Sequence, residues 1–143
     1  MKSFLIAILS VLTFTSCADK QKTKSSLFEN GDYCYQYVLS FDTISMQIHI
    51  TGNQFTGKMD YQFFEKDQSH GTISGKIEGD KIIGDYKFSS EGMESVSQII
   101  FRKNENDLMV GFGEMEEKDG RFIYKDPENL RFETFILREI NCK

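Results

Sequence analysis

Apolar and polar residues alternate along most of the chain. In TISMQIHI (43–50), Ile44, Met46, Ile48 and Ile50 share one face, and Ser45, Gln47 and His49 take the other. In QFTGKMDYQF (54–63), Phe55, Met59, Tyr61 and Phe63 alternate with Thr56, Lys58, Asp60 and Gln62. KIIGDYKF (81–88) sets Ile82, Tyr86 and Phe88 against Lys81, Asp85 and Lys87. A period of two with one apolar face marks antiparallel sheet rather than helix. Turn chemistry separates the runs at Gly52-Asn53, Gly79-Asp80, Asn106-Asp107 and Asp119-Gly120. The pattern predicts strands near residues 33–40, 43–51, 54–64, 71–77, 80–89, 95–102, 107–117, 121–125 and 133–140. The single proline, in KDPENL, marks the one longer connection and leaves room for a helical turn.

An internal repeat supports this reading. TGNQFTG (51–57), EGDKIIG (78–84) and ENDLMVG (105–111) align at a spacing of 27 residues, so that Gly57, Gly84 and Gly111 coincide, as do Phe55, Ile82 and Met109. That period suits two strands and two tight turns, one hairpin of a meander. The expected fold is therefore all-β: an antiparallel up-and-down meander of about 8–9 strands that curls and closes into a small barrel, which removes its edges. The aligned glycines, with Gly75 between two of them, have two readings. They permit strand curvature and close backbone approach, or they leave space for a small ligand. Curvature is the favoured one. The strand SVSQIIFR (95–102) is apolar on both phases, so its second face is covered by another element or by a partner.

The N-terminus reads differently. Met1-Lys2 is followed by an apolar stretch from Phe4 to Phe14, broken only by Ser10 and Thr13. This is shorter than the about 20 residues of a spanning helix and has the length of a signal-peptide core. Thr15-Ser16-Cys17 then resembles a bacterial lipobox, in which the cysteine is acylated and becomes the first mature residue, although Phe14 stands where Leu is usual. The resulting division is 1–16 signal peptide, 17–30 lipidated Cys17 with a flexible Lys/Ser-rich tether, and 31–143 a single barrel domain. Multiple acyl chains anchor stably where one does not. Ala18, rather than Asp, follows the cysteine, which by the same resemblance favours delivery to the outer membrane, facing the periplasm or the surface.

With Cys17 carrying lipid, Cys34 and Cys142 remain at the two ends of the domain in an oxidising compartment. They either pair or stay as separate buried thiols; pairing is expected. Without the leader the chain carries a charge of about −6, which gives no basic footprint for nucleic acid and no electrostatic route to anionic lipid.

Candidate chemistry is sparse. The densest polar segments are SSEGMES and GEMEEKDG. Glu91, Glu94, Glu114 and Glu116, with Tyr86 and Arg102, form the candidate binding set, a polar rim for a partner if the fold brings them together. Carboxylates at these positions lack EF-hand spacing, and His49 and His70 have no ligands at zinc spacing. No phosphate loop, nucleophile elbow or Cys/His pair appears. The expectation is a protein with no catalytic residues, no metal and no cofactor.

The segment GDKIIGDYKFSSEGMESVSQIIFRK, then GFGEMEEKDGRFIYKDPENLRFE and the final REINCK, resembles a family of small uncharacterised bacterial lipoproteins with a SEGxES…GxGEMEEKxG signature and a terminal cysteine. The resemblance spans about residues 30–142, implies the lipid anchor and assigns no reaction. The architecture is similar to lipocalin-like barrels, although the chain has no Trp and so lacks their G-x-W signature. Two functions follow. One is an interaction module for an envelope protein, with a filled core. The other is a barrel holding a small apolar ligand against Phe55, Met59, Tyr61, Tyr86, Phe88 and Met109. Thirteen Phe and six Tyr are enough rings to fill a small barrel, which favours the first.

Overall fold

The computed structural model describes residues 27–66 and 68–143. The expected signal peptide, Cys17 and most of the tether lie outside the described residues. Ten strands follow one another: β1 Gly31–Leu39, β2 Asp42–Thr51, β3 Gln54–Gln62, β4 Ser69–Glu78, β5 Lys81–Ser90, β6 Met93–Asn104, β7 Asp107–Val110, β8 Met115–Lys118, β9 Arg121–Tyr124 and β10 Ile136–Ile140. Two-residue turns join β1 to β2, β2 to β3, β4 to β5, β5 to β6 and β6 to β7. At the β5–β6 turn Glu91 and Gly92 both take positive φ, 49° and 79°, the geometry whose twist matches that of the flanking strands.

β1 to β7 run as an antiparallel meander, and β10 enters between β7 and β1, so that eight strands close the barrel. The alternation read from the sequence points inward as expected: Ile44, Met46, Ile48 and Ile50 of β2 are all buried, as are Phe55 and Met59 of β3 and Ile82 and Tyr86 of β5. At one end the barrel is filled. Phe28 is buried there, edge-on to Tyr33 at 6.4 Å, with the Lys103 ammonium 4.4 Å from its ring centroid. The sulfurs of Cys34 and Cys142 meet at disulfide distance, with Cα atoms 5.2 Å apart, which ties the C-terminus to β1.

Three expectations need correction. The predicted strand 107–117 is two strands, because the chain leaves the barrel wall after β7. Gly111 N–H still donates to Ile100 O at 2.7 Å, but beyond it the chain turns outward into the β8–β9 hairpin. The KDPENL connection is a turn closed by Asn129 N–H on Asp126 O at 3.3 Å, not a helical one. The turn after β6 is Glu105-Asn106, one residue earlier than expected, with Glu105 at φ 56°.

The returning segment explains the two-faced strand. On β6, Ile99 and Phe101 join the barrel interior, while Ile100 points outward beneath Leu130 and Phe132. Residues 111–132 are thus a flap over the outside of β6. Met109 packs in this outer cluster, so the third copy of the repeat faces the opposite way from the first two. β7 buries Leu108 and Val110 inward instead, while Met109 lies outward against the apolar cluster of the flap.

A candidate ligand cavity at the barrel mouth

β7 and β10 are short, four and five residues, so the wall between β6 and β1 ends below the rim at the end opposite Phe28. A cavity of about 310 Å³ occupies this place, open to solvent on one side. Its inner wall is Tyr61, Phe63, Tyr86 and Phe88 from β3 and β5 and the segment after β3. The facing wall comes from Ser97 and Ile99 of β6, Val110, and Met115 and Tyr124 of the flap hairpin. Phe135 stands at the centre of the rim, 5.0 Å from Tyr37, 5.5 Å from Phe112 and 6.0 Å from Phe63 between ring centroids. Exposed apolar side chains continue outward from there: Val38, Leu39, Phe41 and Phe64, with the rings of the last two 5.2 Å apart.

Polar groups in the cavity are few. Tyr86 Oη and Ser69 Oγ are 3.1 Å apart. Tyr124 Oη donates to Gly111 O at 2.8 Å, and Tyr124 N–H donates to Gln98 Oε1 at 3.0 Å, which pins the flap hairpin to β6. Burial pushes the phenols of Tyr61, Tyr86 and Tyr124 above their ordinary value. For Tyr61 the neighbouring Tyr86 and Tyr124 add to the effect, and for Tyr86 the hydrogen bond with Ser69 partly offsets it. All three are neutral hydroxyls across the physiological range.

Comparisons with protein-family models, curated proteins and solved structures find no match for this chain.

Of the six candidate binding residues, only Tyr86 reaches the cavity. Glu91 is exposed in the β5–β6 turn, and Glu94 lies on the outer wall beside His70 and Lys87. Glu114 is exposed and paired with Lys125 at 3.0 Å, and Glu116 stands exposed on β8 opposite Ile123. Arg102 is near the filled end, with its guanidinium 4.0 Å from the Phe132 ring centroid and Asp80 at 3.8 Å. The structure does not bring these five to one place. Of the expected apolar lining, Tyr61, Tyr86 and Phe88 face the cavity, whereas Phe55 and Met59 belong to the filled half of the core. Ser69, Ser97, Phe112, Met115, Tyr124 and Phe135 were not foreseen. Only aromatic alternation signals such residues in a sequence, and those after Val110 lie outside any alternating strand.

The glycines resolve toward backbone packing. A Cβ on Gly57 or Gly75 would meet a neighbouring strand's carbonyl oxygen at 2.0 or 2.2 Å. The space at Gly57 and Gly75 is taken up by backbone, that at Gly84 is shared with the Phe55 ring, and of the four only Gly111 borders the cavity.

Proposed function

We propose that this chain is a membrane-anchored lipoprotein of the bacterial cell envelope whose barrel binds a small apolar ligand at its mouth. The observation that carries the ligand reading is the cavity itself. Its about 310 Å³ sits at the small end of the usual range for ligand pockets, about 300–1,000 Å³, and its walls are mainly aromatic and aliphatic. Aromatic rings crowd this end of the barrel, yet a cavity remains among them. Support for the anchor is the apolar N-terminal run ending in Thr15-Ser16-Cys17, together with the likeness to small bacterial lipoproteins. Ala18 after the cysteine supports the outer membrane as its address. β1 begins at the filled end, so a tether from Cys17 joins the barrel opposite the mouth.

Native mass spectrometry of the mature full chain, extracted from envelopes without stripping, tests both parts. The expected result is acyl additions on Cys17 and, separately, a reproducible extra mass of one small molecule that Ser97→Leu removes by filling the cavity. A clean mass on repeated preparations would overturn the ligand reading. Cys17→Ala remaining membrane-bound would overturn the anchor.

A second reading rests on a different observation. The exposed lip of Val38, Leu39, Phe41 and Phe64 is the kind of apolar patch that marks interaction sites. It supports an envelope-protein partner docking at the mouth, and photo-crosslinking from position 41 would capture it.

A further inference from the structure

The polar atoms of the cavity can be accounted for one by one. The hydroxyls of Tyr86 and Ser69 share one hydrogen bond, and Tyr124 is held by Gly111 O. Ser97 Oγ has two long contacts, 3.5 Å to Gln98 O and 3.9 Å to Met115 Sδ. Tyr61 differs. Its ring is packed between those of Phe63 and Tyr86, each at 5.8 Å, and among the described residues its hydroxyl has no hydrogen-bond partner. Nor is that oxygen sealed off. Among the described residues the unpartnered buried side-chain polar atoms are Tyr35 Oη, Arg102 Nε and Arg121 Nε, so the Tyr61 hydroxyl keeps contact with open space, and the space this residue lines is the cavity.

In the open cavity water can satisfy this donor, but a ligand that expels the water without offering an acceptor leaves the donor buried and unsatisfied. A ligand oxygen placed against it avoids that penalty. The charge of such a ligand is constrained by the wall: among the described residues, no Lys, Arg, His, Asp or Glu lines the cavity. An anion or a cation would be buried without a counter-charge, which is strongly unfavourable. Burial together with the neighbouring phenols keeps Tyr61 protonated, so the hydroxyl remains available as a donor.

We infer that the cavity selects a neutral amphipathic molecule, with an apolar body against Phe63, Phe88 and Phe135 and one acceptor oxygen hydrogen-bonded by the Tyr61 hydroxyl. This rests on the ligand-barrel reading above and names the class of ligand it takes.

The test compares three probes of similar size on the full chain: acetophenone, its hydrocarbon analogue α-methylstyrene, and benzoate. Affinities are read by titration followed in protein NMR spectra, which also report that each variant is folded. Wild type binds the ketone at least as tightly as the hydrocarbon, despite the ketone's greater loss of hydration. Tyr61→Phe weakens the ketone about five- to tenfold, the effect of one hydrogen bond, and changes the hydrocarbon by less than about twofold. Benzoate binds neither protein. Hydrocarbon binding with a ketone affinity that Tyr61→Phe leaves unchanged would overturn this inference and leave the cavity reading standing. Benzoate binding as tightly as acetophenone would do the same. Binding of no probe, with no extra mass on the native protein, would overturn both.

Discussion

The ring of Phe55 lies against the bare α-carbon of Gly84: a Cβ there would come within 2.8 Å of Phe55 Cζ and 2.2 Å of Ser74 O. Gly84 also stands directly opposite Gly75 across β4 and β5, so two adjacent strands present no side chain where the barrel is filled by that ring. Gly84→Ala therefore forces both a ring and a strand to move. Overpacking of this kind costs about 1–3 kcal/mol, and the backbone clash places this substitution at the upper end. A chemical denaturation midpoint within error of wild type would show that the strand shifts freely.

Pairing of Cys34 with Cys142 closes a loop with a sequence separation of 108. Replacing both with serine is expected to cost about 2–5 kcal/mol, the usual range for a native bridge in a small domain. The check is the urea midpoint of the oxidised protein, the reduced protein and the double variant. The last two should agree with each other and fall below the first.

Tyr35 is buried in the filled half with its hydroxyl unpartnered among the described residues. Tyr35→Phe removes an unsatisfied group while keeping the ring, so stability is expected to stay level or rise by about 1 kcal/mol. A clear loss would mean that the hydroxyl is bonded to an internal water.

Phe132 covers the outer face of β6 and supports the guanidinium of Arg102. Phe132→Ala is expected to cost about 3 kcal/mol. Because the outer cluster is separate from the barrel core, hydrogen exchange should speed up in residues 111–132 and on β6, and much less on β2 and β3. Uniform acceleration over the whole barrel would show instead that the flap and barrel unfold as one unit.

Four phenols are raised by burial: Tyr35, Tyr61, Tyr86 and Tyr124. In the unfolded chain they ionise near pH 10. Above that value the unfolded state releases protons that the folded state retains, so their contribution is complete below about pH 10 and is lost as pH rises further. Denaturation midpoints should be flat with respect to these groups up to about pH 9.5 and then fall, while tyrosinate absorbance of the native protein lags behind that of the unfolded chain. Simultaneous titration of native and unfolded tyrosines would contradict the burial described here.

The alternation of Ile44, Met46, Ile48 and Ile50, and of Phe55, Met59, Tyr61 and Phe63, determines by itself that these segments form antiparallel sheet and which face of these two strands is inward. That information is local, since side chains two apart on a strand share a face whatever the rest of the chain does. Closure into a barrel could be anticipated because a long twisted meander tends to curl and remove its edges, and pairing of Cys34 with Cys142 because, with Cys17 expected to carry lipid, these two remain at the ends of the domain. Tyr61, Tyr86 and Phe88 were legible as inward aromatics, but not as neighbours of a cavity. Which half of the barrel is filled depends on where β7 stops, on Phe112 and Phe135 standing at the rim, and on Leu130 and Phe132 returning over Ile100. These are contacts between residues far apart in sequence, made after the chain leaves the alternating pattern at Gly111. Only the tertiary structure decides them, because the space left at the mouth is the difference between the volume eight strands enclose and the volume their side chains happen to fill.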